Sequence, residues 1–366
     1  MLSRVAARSY SSASIKLTAR EAAGNLSSVS VVINNAGSKA GKSGLSHLYS
    51  KFNFLNTTTR SALRFTRESE LLGGIFSSKV TRDAVVLNTQ FLKADLPYYV
   101  EALGNTLVNP AFRPHELVEV VLPSARAEYE AAASDAAFVG LEALHELSFR
   151  RGLGNPLYYD GTQPTSVDEI RQFSTDVVNA SNVSIFASGV NQADLTQFIG
   201  ESALSQLPGG ASAAIPVEFF NGSESRIRKA GESAALIGVP VKTADFGKYE
   251  SLSVAIGNQT IANPQAPLSQ IPGASSHLYK YADAGLFVVS VRGSGAEVAQ
   301  GIKQAKAAVD AVSTADVSKA TELSIALQST FENPLSFKPS ADKVKLDKFN
   351  YVAVGDVDAL PYASEL

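Results

Sequence analysis

Histidine is the residue type of this chain best suited to metal chemistry, because no cysteine is present to supply a thiolate. The chain contains His47, His115, His145 and His277. His145 and Glu146 begin the pattern His-Glu-x-x-His of zinc hydrolases, but the last position of that pattern holds Phe149. A second imidazole is therefore missing, and no metal site is predicted there.

His47 begins the inverted zinc pattern His-x-x-Glu-His. Ser50 stands where the general base belongs, and Lys51 stands where the second ligand belongs. The ammonium of Lys51 would bring a positive charge to the position of the metal. We therefore interpret His47 as a packed or solvent-facing residue. The sequence predicts no catalytic residue, no cofactor-binding residue, no metal ligand and no cofactor.

Residues 36–43 have the outline of a phosphate-binding loop between a predicted strand and a predicted helix. The first position is Ala36 rather than glycine. The later strands at 183–187 and 286–291 are not followed by the acidic residue that would hold magnesium. The prediction is a structural turn, with nucleotide binding as the alternative.

A second glycine-bearing loop, residues 293–298, supplies two of the three glycines of a dinucleotide fingerprint. Glu297 at the start of the following helix is favourable for the helix dipole but would repel a pyrophosphate. A structural turn is predicted here too.

Composition limits the class of protein. A length of 366 residues favours two domains, and 45% hydrophobic with 18% charged residues is typical of a packed globular chain. The formal net charge of -3 gives no field that would attract nucleic acid. No apolar run approaches the ~18 residues of a membrane span, so membrane association is expected only through partners.

The N-terminus has the composition of a mitochondrial transit peptide. Arg4, Arg8, Lys16 and Arg20 are basic, and the first acidic residue is Glu21. The predicted leader covers residues 1–10, with cleavage after Tyr10, or extends to about residue 20. The alternative is a frayed terminus that lacks acidic residues by chance.

Apolar periodicity predicts strands at 28–34, 84–91, 183–187, 234–239, 286–291 and 351–355. It predicts helices at 44–54, 61–72, 96–108, 115–133, 194–204, 245–257 and 297–311, and a capping box at 166–169 begins a further helix that runs through Phe173. Residues 206–221, rich in proline, glycine, alanine and serine, predict a linker. The predicted domains are 21–205 and 222–366, two related α+β halves in which helices pack on one face of a sheet.

Several segments together resemble the pitrilysin-type metallopeptidase family. The N-terminal half of that family is similar at residues 37–39, 44–47, 52–59, 70–74, 91–97 and 154–157, and its inactive repeat is similar at 234–240, 276–278 and 349–356. The resemblance covers the chain from about residue 26 to the end, and it implies that each half is a largely antiparallel sheet with helices on one face.

In active members of the family, the zinc ligands are the two histidines of the inverted motif and a later glutamate on a helix. The matching helix here is predicted at 116–129, and Glu119 and Glu128 lie near the position of that glutamate. Of the two histidines, only His47 is in place. The resemblance therefore implies a degenerate, non-catalytic member of the family.

Mitochondria keep two sorts of degenerate members: core subunits of ubiquinol-cytochrome c reductase (complex III) and the non-catalytic, presequence-binding subunit of the processing peptidase. The latter has a glycine-rich loop, where residues 262–277 here contain a single glycine and three prolines. This difference favours a core subunit. The resemblance then implies a peripheral protein on the matrix side of the mitochondrial inner membrane. Its expected partners are the other core subunit, cytochrome b, cytochrome c1 and the Rieske protein in a dimeric complex, and no nucleic acid.

Overall fold

The computed structural model describes residues 15–210, 216–260, 263–328, 340, 342, 344 and 346–366. The predicted leader, residues 1–10, lies outside the described residues. Two compact units are present. The first includes the described parts of Met1–Glu128 and Leu157–Ile215, and the second those of Tyr129–Pro156 and Pro216–Leu366.

The strands are β1 (Lys16–Arg20), β2 (Leu26–Asn34), β3 (Ile75–Val80), β4 (Ala84–Leu92), β5 (Val183–Ser188), β6 (Glu224–Arg228), β7 (Ser233–Lys242), β8 (Ala274–Lys280), β9 (Ala284–Gly293) and β10 (Asn350–Gly355). The helices are α1 (Leu45–Phe52), α2 (Ala62–Leu72), α3 (Leu96–Val108), α4 (Pro114–Glu116), α5 (Leu122–Ser134), α6 (Ala136–Phe149), α7 (Val167–Val177), α8 (Gln192–Glu201), α9 (Phe246–Ile256), α10 (Gly295–Ala311) and α11 (Thr314–Gln328). A π-helical turn, Leu117–Val121, joins α4 to α5. None of the helices in the described part of the chain is both long and apolar enough to cross a membrane.

The two sheets have the same topology. The first has the order β1-β5-β2-β4-β3, and the second has the order β6-β10-β7-β9-β8. In each sheet the first pair is parallel and the other neighbours are antiparallel. Each strand of one sheet thus has a counterpart in the other, and the predicted pair of related, largely antiparallel α+β halves is confirmed.

The first sheet buries one face. Along β2, Val29, Val31 and Ile33 are fully buried in a core that also includes residues of α1, α3 and α7, and the intervening side chains are half-buried or exposed. This alternation with a period of two residues is the pattern of a strand with one covered face. Here the predicted arrangement, with helices on one face, is correct.

The second sheet is covered on both faces, which the sequence did not predict. The side chains of Ala235 and Ile237 on β7 join the core shared with α9 and α10, whereas those of Ala234 and Leu236 join a separate core shared with α6. Strand β7 is accordingly buried along nearly its whole length. A strand buried on both faces needs apolar residues at consecutive positions, as β7 has.

Helix α6 corrects the predicted domain boundary. It lies inside the predicted N-terminal domain, 21–205, but the segment Tyr129–Pro156 belongs to the second unit. The physical reason is the burial of Leu144 and Phe149 against the second sheet. The longer leader estimate, to about residue 20, stays a prediction, and the residues Lys16–Arg20 that it includes form β1, which pairs with β5.

Candidate functional site

Helix α1 carries His47, and its N-cap is Gly44, whose φ of 77° is in the left-handed region that favours glycine. A β-carbon at this position would also lie 2.7 Å from Cδ2 of Tyr159. Glycine therefore lets the segment around Tyr159 approach the first turn of α1. This close approach brings a backbone N–H within reach of the His47 ring.

Both ring nitrogens of His47 are hydrogen-bonded. The backbone N–H of Tyr159 donates to Nδ1 at 3.0 Å. Nε2 lies 2.9 Å from Oε2 of Glu128, a residue of α5. The side chain of His47 is fully buried, and the ring of Tyr158 packs on it at a centroid distance of 4.8 Å. The sequence left His47 as either packed or solvent-facing, and the structure shows the packed alternative.

Lys51 lies one helical turn after His47 and forms an ion pair with the same Oε2 atom of Glu128. The pKa of Glu128 is lowered to about 2, because the His47 side chain donates a hydrogen bond to the carboxylate and the Lys51 ammonium adds a hydrogen bond and its charge. Between the two glutamates that the sequence left open, the structure thus places Glu128 at His47. Glu119 lies in the π-helical turn and is exposed.

This set of side chains does not fit a zinc ion. It supplies one imidazole, one carboxylate and one ammonium, whereas a catalytic zinc site uses three protein ligands that are not cations. Ser50 donates to the carbonyl oxygen of His47 at 2.7 Å and offers no general base. Over the described residues, no cluster of three or more histidine, cysteine, aspartate or glutamate side chains could hold a metal ion.

His145 has a structural environment in the second unit. Its Nδ1 lies 2.8 Å from the carbonyl oxygen of Leu141, and its Nε2 lies 2.7 Å from the hydroxyl oxygen of Tyr281. The imidazole therefore links α6 to the turn between β8 and β9. His277 on β8 also lies in this unit, and its buried Nδ1 has no hydrogen bond to any of the described residues.

The two loops that resemble phosphate sites are turns, as predicted. In the first loop, Lys39 is buried in an ion pair with Asp83 at 2.7 Å, and Lys42 pairs with Glu169 at 3.1 Å. In the second loop, Ser294 and Glu297 form a reciprocal capping box at the start of α10. Lys39, Lys42 and Glu297 thus have partners within the protein.

The second unit also has an open groove of about 630 Å³ beside the N-terminus of α6. The groove is lined by the apolar residues Leu236 and Val288 and by the polar residues Asp135, Asn258 and Arg292, among others. Sequence reasoning missed this groove because α6 was not predicted. The available signal was the apolar start of α6, residues 136–141, which directly follows Asp135 as a capping residue.

Comparison with known proteins places this geometry in a family. Residues 17–161 match the family profile described as "Insulinase (Peptidase family M16)", and residues 165–321 match the one described as "Peptidase M16 inactive domain". A Debaryomyces hansenii protein named "Cytochrome b-c1 complex subunit 2, mitochondrial" is 65% identical over the full length of both chains. The chain belongs to the M16 peptidase family, among the cytochrome b-c1 complex subunit 2 proteins. The Saccharomyces cerevisiae protein of the same name is 42% identical over 96% of each chain.

A solved M16 protein has the same fold at low identity. The crystal structure of a peptidase M16 inactive domain from Pseudomonas fluorescens superposes with a TM-score of 0.76, at 15% identity, over 94% of this chain and 97% of that one. For this M16 chain, the comparison supports the architecture of the two sheets and carries no information on activity.

Proposed function

We propose that this chain is a non-catalytic structural subunit of the mitochondrial cytochrome b-c1 complex, ubiquinol-cytochrome c reductase, and that the complex needs it for assembly and stability. The observation that carries the proposal is the 65% identity to the Debaryomyces hansenii subunit 2 over the whole length of both chains. Identity at this level over the full length of both chains supports a shared role rather than a shared domain alone.

The polar cluster on α1 supports a role without catalysis. An M16 peptidase needs a general base and a second imidazole beside the first one. Ser50 and Lys51 occupy those positions, and the ammonium of Lys51 neutralises Glu128. The fold of a peptidase is thus retained without the groups that activate water.

An exposed apolar row on the first unit supports a role in an assembly. Leu26 and Leu92 are direct partners across β2 and β4, and Ile75 pairs with Gln90, two residues before Leu92 on the same face. These three side chains, the apolar row, are 58%, 47% and 64% exposed. Contiguous exposed apolar side chains are typical of a surface that a partner covers. We assign the apolar row to contact with another subunit of the complex.

We expect the chain to lie on the matrix side of the inner membrane and to pair with the other core subunit. Cytochrome b, cytochrome c1 and the Rieske protein would be its other neighbours in a dimeric complex. The runner-up function is presequence binding as the non-catalytic subunit of the processing peptidase.

Deletion of the gene in its own host tests the proposal against the runner-up. We expect less assembled b-c1 complex on native gels, lower ubiquinol oxidation and instability of the other core subunit, whose apolar interface becomes exposed. Cleavage of imported precursors should continue. Accumulation of uncleaved precursors, with only a secondary loss of the complex, would support the runner-up instead. Re-expression of the intact chain is the control.

A further inference from the structure

The hydrogen bonds of His47 fix the position of its proton. A backbone N–H can only donate, so the Nδ1 atom that accepts from Tyr159 at 3.0 Å carries a lone pair. The single proton of the neutral ring must then lie on Nε2. This Nε2–H donates to Oε2 of Glu128 at 2.9 Å. A metal ion at Nε2 would need the opposite tautomer, with the proton on Nδ1.

The cluster has balanced charges without any ion. The carboxylate of Glu128 carries one negative charge, the ammonium of Lys51 carries one positive charge, and the His47 ring is neutral in this tautomer. Both donors meet the same carboxylate oxygen. A divalent cation at this point would lie against the ammonium, and the repulsion between like charges would act at short range in a partly buried site.

We propose that Lys51 is a built-in cation that replaces the divalent metal of the M16 fold and excludes it, with His47 held as its Nε2–H tautomer by the backbone of Tyr159. The ammonium and the imidazole together bind α1 to the helix that carries Glu128. This link between the helices does not depend on metal supply. The proposal concerns the interior of the first unit, so it stands apart from the proposed role in the b-c1 complex.

The relative cost of the two obstacles indicates which one excludes the metal. Zinc binding at Nε2 would cost the one hydrogen bond from Tyr159. A single neutral hydrogen bond contributes far less than a set of bonds between zinc and its ligands, so the tautomer by itself is a weak barrier. The ammonium is therefore the main obstacle, and replacement of Lys51 by a ligand should permit binding.

Nitrogen NMR of the full chain labelled at histidine distinguishes the two tautomers by the chemical shifts of Nδ1 and Nε2. The chain has only four histidines, so the signals of His47 can be assigned. We expect His47 to have its proton on Nε2 at neutral pH and its spectrum to be unchanged by equimolar zinc. A proton on Nδ1, or one-to-one zinc binding at His47 in the unmodified protein, would overturn the proposal.

Three variants test the role of the ammonium. Lys51→His should bind one zinc ion through His47, the new imidazole and Glu128, with the His47 proton moving to Nδ1. Lys51→Met should lower the midpoint of thermal unfolding by about 3 °C, and Lys51→Arg should restore most of that loss. Lys42→Met, which breaks the more exposed pair with Glu169, is the matched control and should change the midpoint less.

Two outcomes of the variants would contradict the proposal. A folded Lys51→His protein that binds no zinc would show that the ammonium is not the obstacle. Equal midpoints for Lys51→Met and Lys42→Met would show that the ion pair with Glu128 does not hold the helices. Should Lys51→Met fail to fold, the tautomer and the zinc titration of the unmodified chain still decide the proposal.

Discussion

Gly238 of strand β7 lies against Leu144 of helix α6 with no space for a β-carbon between them. A methyl group on Gly238 would lie 2.4 Å from Cδ2 and 2.7 Å from Cγ of Leu144. Leu144 is fully buried, so it has little room to withdraw. The close approach of α6 to the second sheet therefore depends on glycine at this position.

Replacement of Gly238 by alanine should destabilise the second unit. We expect the free energy of unfolding to fall by about 1–3 kcal/mol, because overpacking forces the helix or the Leu144 rotamer to shift. Urea denaturation measures the change. Gly200→Ala on α8 is the control, since a β-carbon there meets nothing within 4 Å, and it should be neutral or stabilising by up to about 1 kcal/mol. Equal effects of the two variants would contradict close packing at Gly238.

Glu128→Gln should reduce the sensitivity of the first unit to acid. The pKa of Glu128 is about 2 in the folded state against 4.5 in the reference state, so its contribution is present above pH 4.5 and is lost as the pH falls toward 2. The side chain is 37% exposed, and solvent screening limits this contribution to about 1 kcal/mol. Urea unfolding between pH 2 and pH 7 measures it. Glu119→Gln, an exposed change nearby, is the control, and an equal change of the pH profile in the two variants would contradict the assignment to Glu128.

His277 should make the second unit less stable in mild acid. Burial lowers its pKa to about 4, and the charge of Lys280 adds to this effect. Between the unfolded value of 6.5 and that folded value, the unfolded chain binds the extra proton, so stability falls as the pH falls. The loss is at most about 3 kcal/mol at pH 4. His277→Phe should flatten the profile, and a matched His115→Phe variant that flattened it equally would refute the assignment.

Leu92→Lys should weaken incorporation of the subunit into the b-c1 complex. Leu92 is the central residue of the apolar row, and a charge there would be desolvated against the partner. We expect at least about a tenfold loss of association, which corresponds to ~1.4 kcal/mol. The yield of assembled complex after mild detergent extraction measures it. Thr18→Lys, exposed on edge strand β1, is the control. Unchanged assembly in Leu92→Lys would remove the apolar row from the interface.

The mature protein should begin at Ser11 or within a few residues of it. The acid-free leader motivates this prediction, and β1 at Lys16–Arg20 sets a limit on how far cleavage can extend without loss of a strand. Intact mass spectrometry of the protein from mitochondria is the measurement. A mass that still includes residues 1–10 would contradict both the leader and the mitochondrial matrix as its destination.

Local signals in the sequence were sufficient to predict the helices whose ends are marked by capping residues. The helix predicted at 61–72 is bounded in the structure by Ser61, whose side chain caps the first turn, and by Gly73 in the left-handed conformation. The capping box of Ser166 and Glu169 likewise begins α7. All four edge strands, β1, β3, β6 and β8, were missed, because edge strands have few fully buried residues and gain their pairing only from the sheet.

The sequence by itself determined that the zinc motif is broken, because Ser50 and Lys51 replace its base and second ligand. It could not choose between Glu119 and Glu128, nor assign α6 to the second unit. The glutamate that contacts His47 and the unit that contains α6 are both determined by contacts between residues far apart in the sequence, such as His47 with Glu128, 81 positions apart. Periodicity and capping report only on neighbours within a few residues, so the partner of a buried polar group and the sheet that an apolar helix covers are decided by tertiary packing.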